Sequence, residues 1–291
     1  MKKFLRLLFL SFLSISSILC LTHLLFSIFF SQIHKRFKSD VSNQKADIVF
    51  FGSSRTANHI IPAVFDSISS TRSINMGVPG SMPIDINAQF KLYLKSNSAP
   101  KLIFLQIDHT EDSLQPSQLL IPQFSKYLEN PELFNYRQNL SKKLIYIPLY
   151  KNIKFSLISW REILKTFFRN NSPINRCSGF SPIESKRHPN PFIKSPNYLI
   201  DSRRLNPYIQ EIISICQTRK ISIYLFTAPY FNLENPANFD NFKKYKVPYL
   251  NFSGSEFDNL KFSNRDHLNQ SGAWRLSIQL AQEYKSLKLI K

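Results

Sequence analysis

The chain has 291 residues, a formal net charge of +19, 26 phenylalanines and 6 glycines; average usage would give roughly three times as many glycines. Neither G-x-G-x-x-G nor G-x-x-x-x-G-K-[ST] occurs, which excludes a dinucleotide-binding turn and a P-loop. Three cysteines without a C-x-x-C pair exclude a zinc ribbon and a disulfide scaffold, and 43% hydrophobic content excludes a disordered chain.

The charge is unevenly placed. Residues 1–38 hold six bases and no acid, whereas residues 39–114 hold six bases and seven acids. Residues 115–204 hold fifteen bases and five acids, and residues 205–291 hold eleven and seven. Two readings of the middle excess stand: a dispersed lysine content set by base composition, or a face turned to anionic lipid head groups or an acidic glycan. No recognised nucleic-acid-binding motif accompanies the charge, so nucleic acid is not an expected partner.

Residues 7–33 carry no charge apart from His23, long enough for a tilted spanning helix. A cleaved signal peptide would have a shorter apolar run and a small-residue cleavage site. Ser17-Ile-Leu-Cys20 is distantly similar to a lipoprotein box, but Leu19 stands where such boxes have a small residue. Residues 1–38 therefore read as a transmembrane signal anchor with basic flanks. Three bases lie on each side, so the positive-inside count ties. The expected orientation is a short N-terminus inside and the large domain, residues 39–291, outside the cytoplasm. Cys177 and Cys216 would then meet an oxidising space, and nothing in their spacing pairs them.

Ala46–Gly52 is a short apolar run ending in glycine, which predicts a buried parallel strand. Ser73–Val78 predicts a second strand. Pro83–Ser96 has the proline start and spacing of a helix, with Ile84, Ile86, Phe90 and Leu94 facing a core. Leu102–Ile107 predicts a third strand, Leu205–Arg219 a helix, Ile221–Thr227 a fourth strand and Val247–Phe252 a short fifth. Gln270–Leu287 predicts a closing amphipathic helix. Strands alternating with helices argue for a parallel α/β sheet between helices. The basic stretch 115–204 breaks this rhythm and holds a Pro/Ser/Asn-rich tract, so it reads as an insertion capping the sheet.

In such sheets ligands bind outside the carboxyl ends of the strands. The first predicted strand ends in Gly52-Ser53-Ser54-Arg55. A serine there can sit on a tight strand-to-helix turn with its hydroxyl exposed, as an acyl-transfer nucleophile requires. Equally, Ser53 or Ser54 can be an ordinary helix N-cap. The second strand runs into Asn75-Met76-Gly77-Val78-Pro79-Gly80. Gly80 could aim its amide at an oxyanion above Ser54, or Pro79-Gly80 could be a plain type II turn. Near the end stand Asn264-Arg265-Asp266-His267-Leu268-Asn269 and Gly272, with His267 a candidate general base or a surface histidine. Arg55 could bind a substrate anion or form a structural ion pair.

Strand-G-S-S, strand-N-x-G-x-x-G and D-H-L-N-x-x-G, in this order, resemble the SGNH/GDSL hydrolase superfamily, in particular its membrane-anchored envelope acyl-transfer and esterase-like branch. The resemblance spans roughly residues 46–110 and 205–287. It implies a flavodoxin-like three-layer α/β sandwich, with Ser54 as nucleophile, His267 as base and Gly80, after Asn75, in the oxyanion block. Two places depart from the pattern. The family's acid three residues before the histidine is Asn264 here, with Asp266 adjacent to His267 instead. The third block should offer an oxyanion-binding Asn, yet this strand ends in Ile107-Asp108-His109-Thr110. The implied activity is that of an esterase or O-acyltransferase acting on an envelope polysaccharide or lipid-linked glycan, with no metal or organic cofactor. The departures leave a second reading open: a catalytically degenerate SGNH-fold protein serving as a glycan-binding or scaffold component.

Overall fold

The computed structural model describes residues 2–41, 45–117, 119–124, 127, 130–140, 178–183, 189–190, 192, 197–254 and 257–289. The expected insertion over 115–204, and with it Cys177, lies largely outside these residues. The chain divides into two compact units, residues 1–39 with 142–170, and residues 40–141 with 171–291.

In the first unit, helix α1 runs Lys2–Val41. Its stretch Lys2–Thr22 is long and apolar enough to cross a membrane, and Phe4, Phe9 and Phe12 point outward from it. The Thr22 hydroxyl bonds back to Ile18 O and Leu19 O, 2.9 Å each, so its polar atom is satisfied within the helix.

The second unit is built on five parallel strands: β1 (Ile48–Phe51), β2 (Ser73–Asn75), β3 (Leu102–Gln106), β4 (Ser222–Thr227) and β5 (Tyr249–Asn251). Their order is β2-β1-β3-β4-β5, with Ile48 aligned to both Ser73 and Leu102, Leu102 to Ser222, and Leu225 to Tyr249. This is the flavodoxin-like order, and the chain reverses its direction of travel across the sheet between β1 and β3. The strands lie under helices α2 (Ser54–Ala57), α3 (Pro62–Ser69), α4 (Pro83–Ser96), the short α5 (Ile121–Phe124) and α6 (Phe134–Gln138), α7 (Pro207–Thr218) and α8 (Gln270–Leu289).

The apolar runs become strands because both faces are covered. Phe50, Phe104 and Phe226 point to one face and meet Phe65 of α3 with Leu276 and Leu280 of α8. Phe50 stacks on Phe104 at 5.2 Å and meets Phe65 edge-on at 5.1 Å. On the opposite face Phe51 packs edge-on against Phe90 and Tyr93 of α4, and Asn87 of α4 donates to Tyr208 O of α7 at 3.0 Å. Each buried aromatic removes about 150–250 Å² from water, so these rings dominate the energetics of the sandwich.

The helix predicted over 83–96 has those bounds, and its four expected core contacts are buried. Its polar Asp85, Asn87 and Gln89 are buried as well, which periodicity does not anticipate. Asp85 is covered because Ser117 N and Tyr136 Oη, from the start of the interrupting stretch, both donate to it. The second strand is shorter than expected, since after Asn75 the chain leaves the sheet for the Gly77–Gly80 turn. Helix α3 and a 3₁₀ run over Pro236–Tyr245 are elements the spacing did not signal. Cys216 is a free thiol buried in α7, and burial pushes its pKa up to about 12.

Candidate active site

β1 must stop abruptly, and Gly52 is why it can. Its φ is +155°, and a Cβ there would sit 2.1 Å from Thr56 Oγ1, so only glycine lets the chain fold back at once into α2. The two serines that follow divide two tasks. Ser53 is the N-cap of α2, accepting from Arg55 N at 3.4 Å, while its N–H and hydroxyl both donate to Gln106 Oε1 at 2.9 Å. Ser54 is thereby left half-exposed at the carboxyl edge of the sheet, at the point where the strand order reverses.

Opposite it stands His267, carried on a tight loop closed by the Phe262–Leu268 bridge. His267 Nε2 lies 2.8 Å from Ser54 Oγ. Its Nδ1 lies 3.1 Å from Asn264 Oδ1. The same oxygen accepts from the backbone N–H groups of Asp266 and His267, each at 3.0 Å. Two backbone donors determine which way the Asn264 amide faces, because its NH₂ could not meet them. Nδ1 must therefore be the protonated nitrogen of His267, leaving the Nε2 lone pair free to accept the Ser54 hydroxyl proton. Burial, and then the nearby Arg55 charge, pull the His267 pKa below its ordinary value, against the opposing pull of Asp266 and Asp108. Near neutral pH the ring is an uncharged base.

The other residues singled out by sequence turn inward. Arg55 is 2% exposed: it donates to Ala228 O and, at 2.9 Å, to Pro229 O, and lies 3.4 Å from the Tyr230 ring centre. It also pairs with Asp108 at 3.8 Å. That is the structural alternative for Arg55. Asp108 is equally buried; burial pushes its pKa up, but Arg55, His109 and the Thr110 donors outweigh it and keep the carboxyl ionised. It reaches the Ser54 turn indirectly, by accepting from Gln106 Nε2 at 2.7 Å. An oxyanion donor it is not, for a carboxylate has only acceptors.

Asn75 does not face the reaction space either. Its amide donates to Thr56 O and Ile60 O at 2.7 and 2.8 Å and accepts from Gly77 N, clamping the segment behind Ser54. Gly80, at φ +81° with Ser81 N donating to Val78 O, forms the turn that Pro-Gly favours. Among the described residues neither the Ser54 nor the Gly80 N–H has an acceptor. Asp266 pairs loosely with Arg265 at 3.8 Å, and its side chain makes no hydrogen bond to the His267 ring.

Residues missed in the sequence include His59, Gln106, Tyr198 and Tyr230. His109 accepts or donates at Tyr230 Oη over 2.6 Å and stacks on Tyr198 at 4.2 Å, beside the Arg55–Tyr230 pair. A glutamine closing the apolar run LIFLQ was the one available sign that β3 ends on a polar task. Part of the interrupting stretch also reaches this edge: Asn75 N donates to Ser178 O and Ser181 N to Ala57 O.

The chain matches no protein-family model and no curated protein. Among solved structures it is similar to a protein of Desulfitobacterium hafniense DCB-2 assigned to the G-D-S-L lipolytic family, at 11% identity and a TM-score of 0.40, over 81% of this chain and 97% of that one. It is also similar to a protein of Streptococcus pneumonia assigned as a platelet activating factor, at 12% identity and a TM-score of 0.42, over 91% and 97%. By its own sheet order the chain has a flavodoxin-like parallel α/β fold, with Ser54 and His267 in contact at the carboxyl edge of the sheet.

Proposed function

We propose that the protein is a serine esterase or O-acyltransferase in which Ser54, His267 and Asn264 act as nucleophile, base and positioning residue. The observation that carries this is the chain of contacts from Ser54 Oγ through both ring nitrogens of His267 to an amide oxygen of known orientation. As Ser54 Oγ attacks an acyl carbonyl, its proton passes to His267 Nε2. The tetrahedral oxyanion is met by the N–H groups of Ser54 and Gly80, which have no acceptor among the described residues. Asp108 does not oppose it, since Arg55 neutralises that carboxylate. His267 returns the proton to the leaving alcohol oxygen as the C–O bond breaks, giving acyl-Ser54. Water or an acceptor hydroxyl then attacks, His267 takes its proton, and Ser54 is released with it.

The substrate we favour is an acyl ester on an envelope polysaccharide or lipid-linked glycan, with α1 as a membrane anchor and the second unit outside the cytoplasm. The span-length apolar stretch supports anchoring, and the basic excess of residues 115–204 supports contact with anionic lipid, expected as vesicle binding that weakens with salt.

The test is a fluorophosphonate probe. Labelling of Ser54, lost in Ser54→Ala and His267→Ala, is the expected result; full acyl-ester turnover by Ser54→Ala would remove the nucleophile. Asn264 in place of an acid and Asp108 in place of an oxyanion donor favour one second reading, a non-catalytic glycan-binding or scaffold protein. Folded wild-type protein that the probe never labels selects it.

A further inference from the structure

We infer that His59 is a positioning residue that holds His267 in place during the half-reaction in which Ser54 is acylated; the inference rests on the reading of His267 as the base. His59 is wholly buried, and its Nε2 accepts the backbone N–H of Leu268, the residue after the base, at 3.0 Å. Its ring meets the His267 ring edge-on, 5.8 Å between centres at 85°. An Nε2 that accepts is unprotonated, so the proton sits on Nδ1, which is buried with no partner among the described residues. A lone buried donor is unfavourable. A leucine or phenylalanine would avoid it, so what the imidazole supplies here is the bond to Leu268.

That bond is unlike the others around the base. Ser263 N and Asn264 N bond to His267 O, and Asp266 N and His267 N bond to Asn264 Oδ1, all within the loop itself, while Phe231 N, from beyond β4, donates to Arg265 O. His59 comes from the nucleophile's own segment, just beyond α2, whose end it meets through its N–H to Thr56 O. Among the described residues two hydrogen bonds therefore join the nucleophile's segment directly to the base and its neighbour: Ser54 Oγ with His267 Nε2, and His59 Nε2 with Leu268 N. The first is lost once Ser54 Oγ carries an acyl group, because an ester oxygen has no proton to donate. Of these two, only the second then remains to hold Nε2 against the nucleophile's segment, where the incoming water or hydroxyl must deliver its proton.

Deacylation should accordingly depend on His59 more than acylation does. In the full chain in detergent, with a p-nitrophenyl ester, His59→Phe is expected to retain a burst of product near one equivalent. Its steady-state rate should fall about 10²-fold, the scale of a roughly 1 Å misplacement. His59→Gln, whose Oε1 can replace the Nε2 acceptor, should recover most of that loss. A His59→Phe protein with the wild-type steady-state rate, or with burst and steady state slowed equally, overturns the inference, as does a His59→Gln no better than His59→Phe. If wild-type protein shows neither burst nor labelling, it is the base assignment that fails. The His59 link is then read by itself from scalar coupling across the N–H···N bond between Leu268 N and His59 Nε2 in wild-type protein. That measurement also serves if His59→Phe does not fold, and absence of the coupling overturns the link.

Discussion

Replacing Asn264 by aspartate puts a full negative charge where a neutral amide oxygen now lies 3.1 Å from His267 Nδ1. The geometry should survive, because a carboxylate can accept the same two backbone N–H groups of Asp266 and His267. A charge pair about 4 Å apart is worth about 1 kcal/mol in bulk water and about 4 kcal/mol at an effective dielectric of about 20. Asn264 is exposed and His267 half-buried, which draws the value to about 1–2 kcal/mol in favour of the imidazolium. That corresponds to a rise of about 0.7 to 1.5 pK units and to about 5- to 30-fold in the rate of a step that forms imidazolium. The working form of His267 is neutral, so activity falls as pH drops through its pKa. In the wild type this acid limb should lie below pH 6.5, as burial and Arg55 depress the ring. In Asn264→Asp the limb should move up by about 0.7 to 1.5 units while the plateau above it rises. The assay is kcat/KM for a short-chain ester between about pH 5 and 9, with the fluorophosphonate labelling rate as a parallel readout. An unchanged limb and plateau would refute the reasoning, since a charge at Nδ1 cannot then be felt by the base.

Asp85→Asn is expected to stabilise the fold, since burial raises the Asp85 pKa to about 6 while its neighbours can all pair with an amide. A raised folded-state pKa favours folding of the protonated acid. The penalty is therefore present above pH 6, and the gain of about 1–3 kcal/mol in urea unfolding at pH 8 should vanish near pH 4; an equal gain at both would contradict it. Arg55→Met leaves Asp108 buried and unpaired and should cost about 3–5 kcal/mol, with Asp108→Asn in the same chain recovering a large part; additive losses in denaturant titration would deny the coupling. Gly272→Ala puts a Cβ 2.3 Å from Lys261 O, beneath the loop that carries His267. A loss of about 1–3 kcal/mol and slower Ser54 labelling are expected, and an unaltered melting temperature would show that the loop gives way freely.

The apolar runs that became β1, β3 and β4, and the helix over Pro83–Ser96, were legible because both faces of a parallel sheet are buried and leave an unbroken signal. Ser54 and His267 were legible for a different reason, as short blocks in a fixed order. The apolar run could not say which serine caps α2 and which faces the histidine, because Ser53 and Ser54 are chemically alike, whereas the block pattern pointed to Ser54. Gln106 of the neighbouring strand decides it by holding Ser53. Arg55 was open to a substrate anion or an ion pair, and Asp108, 53 positions on, stood where an oxyanion donor was expected; which holds is decided when β1 and β3 lie side by side and bury the two as a pair. His59 carries no local mark at all, since its partner Leu268 is 209 residues away. What the amino-acid order determines unaided is local: where backbone must be buried, capped or turned. Which polar side chains meet across the sheet's carboxyl edge, and so which hydroxyl stands free beside a neutral imidazole, is settled only when distant segments pack, because pairing and burial belong to neighbours in space.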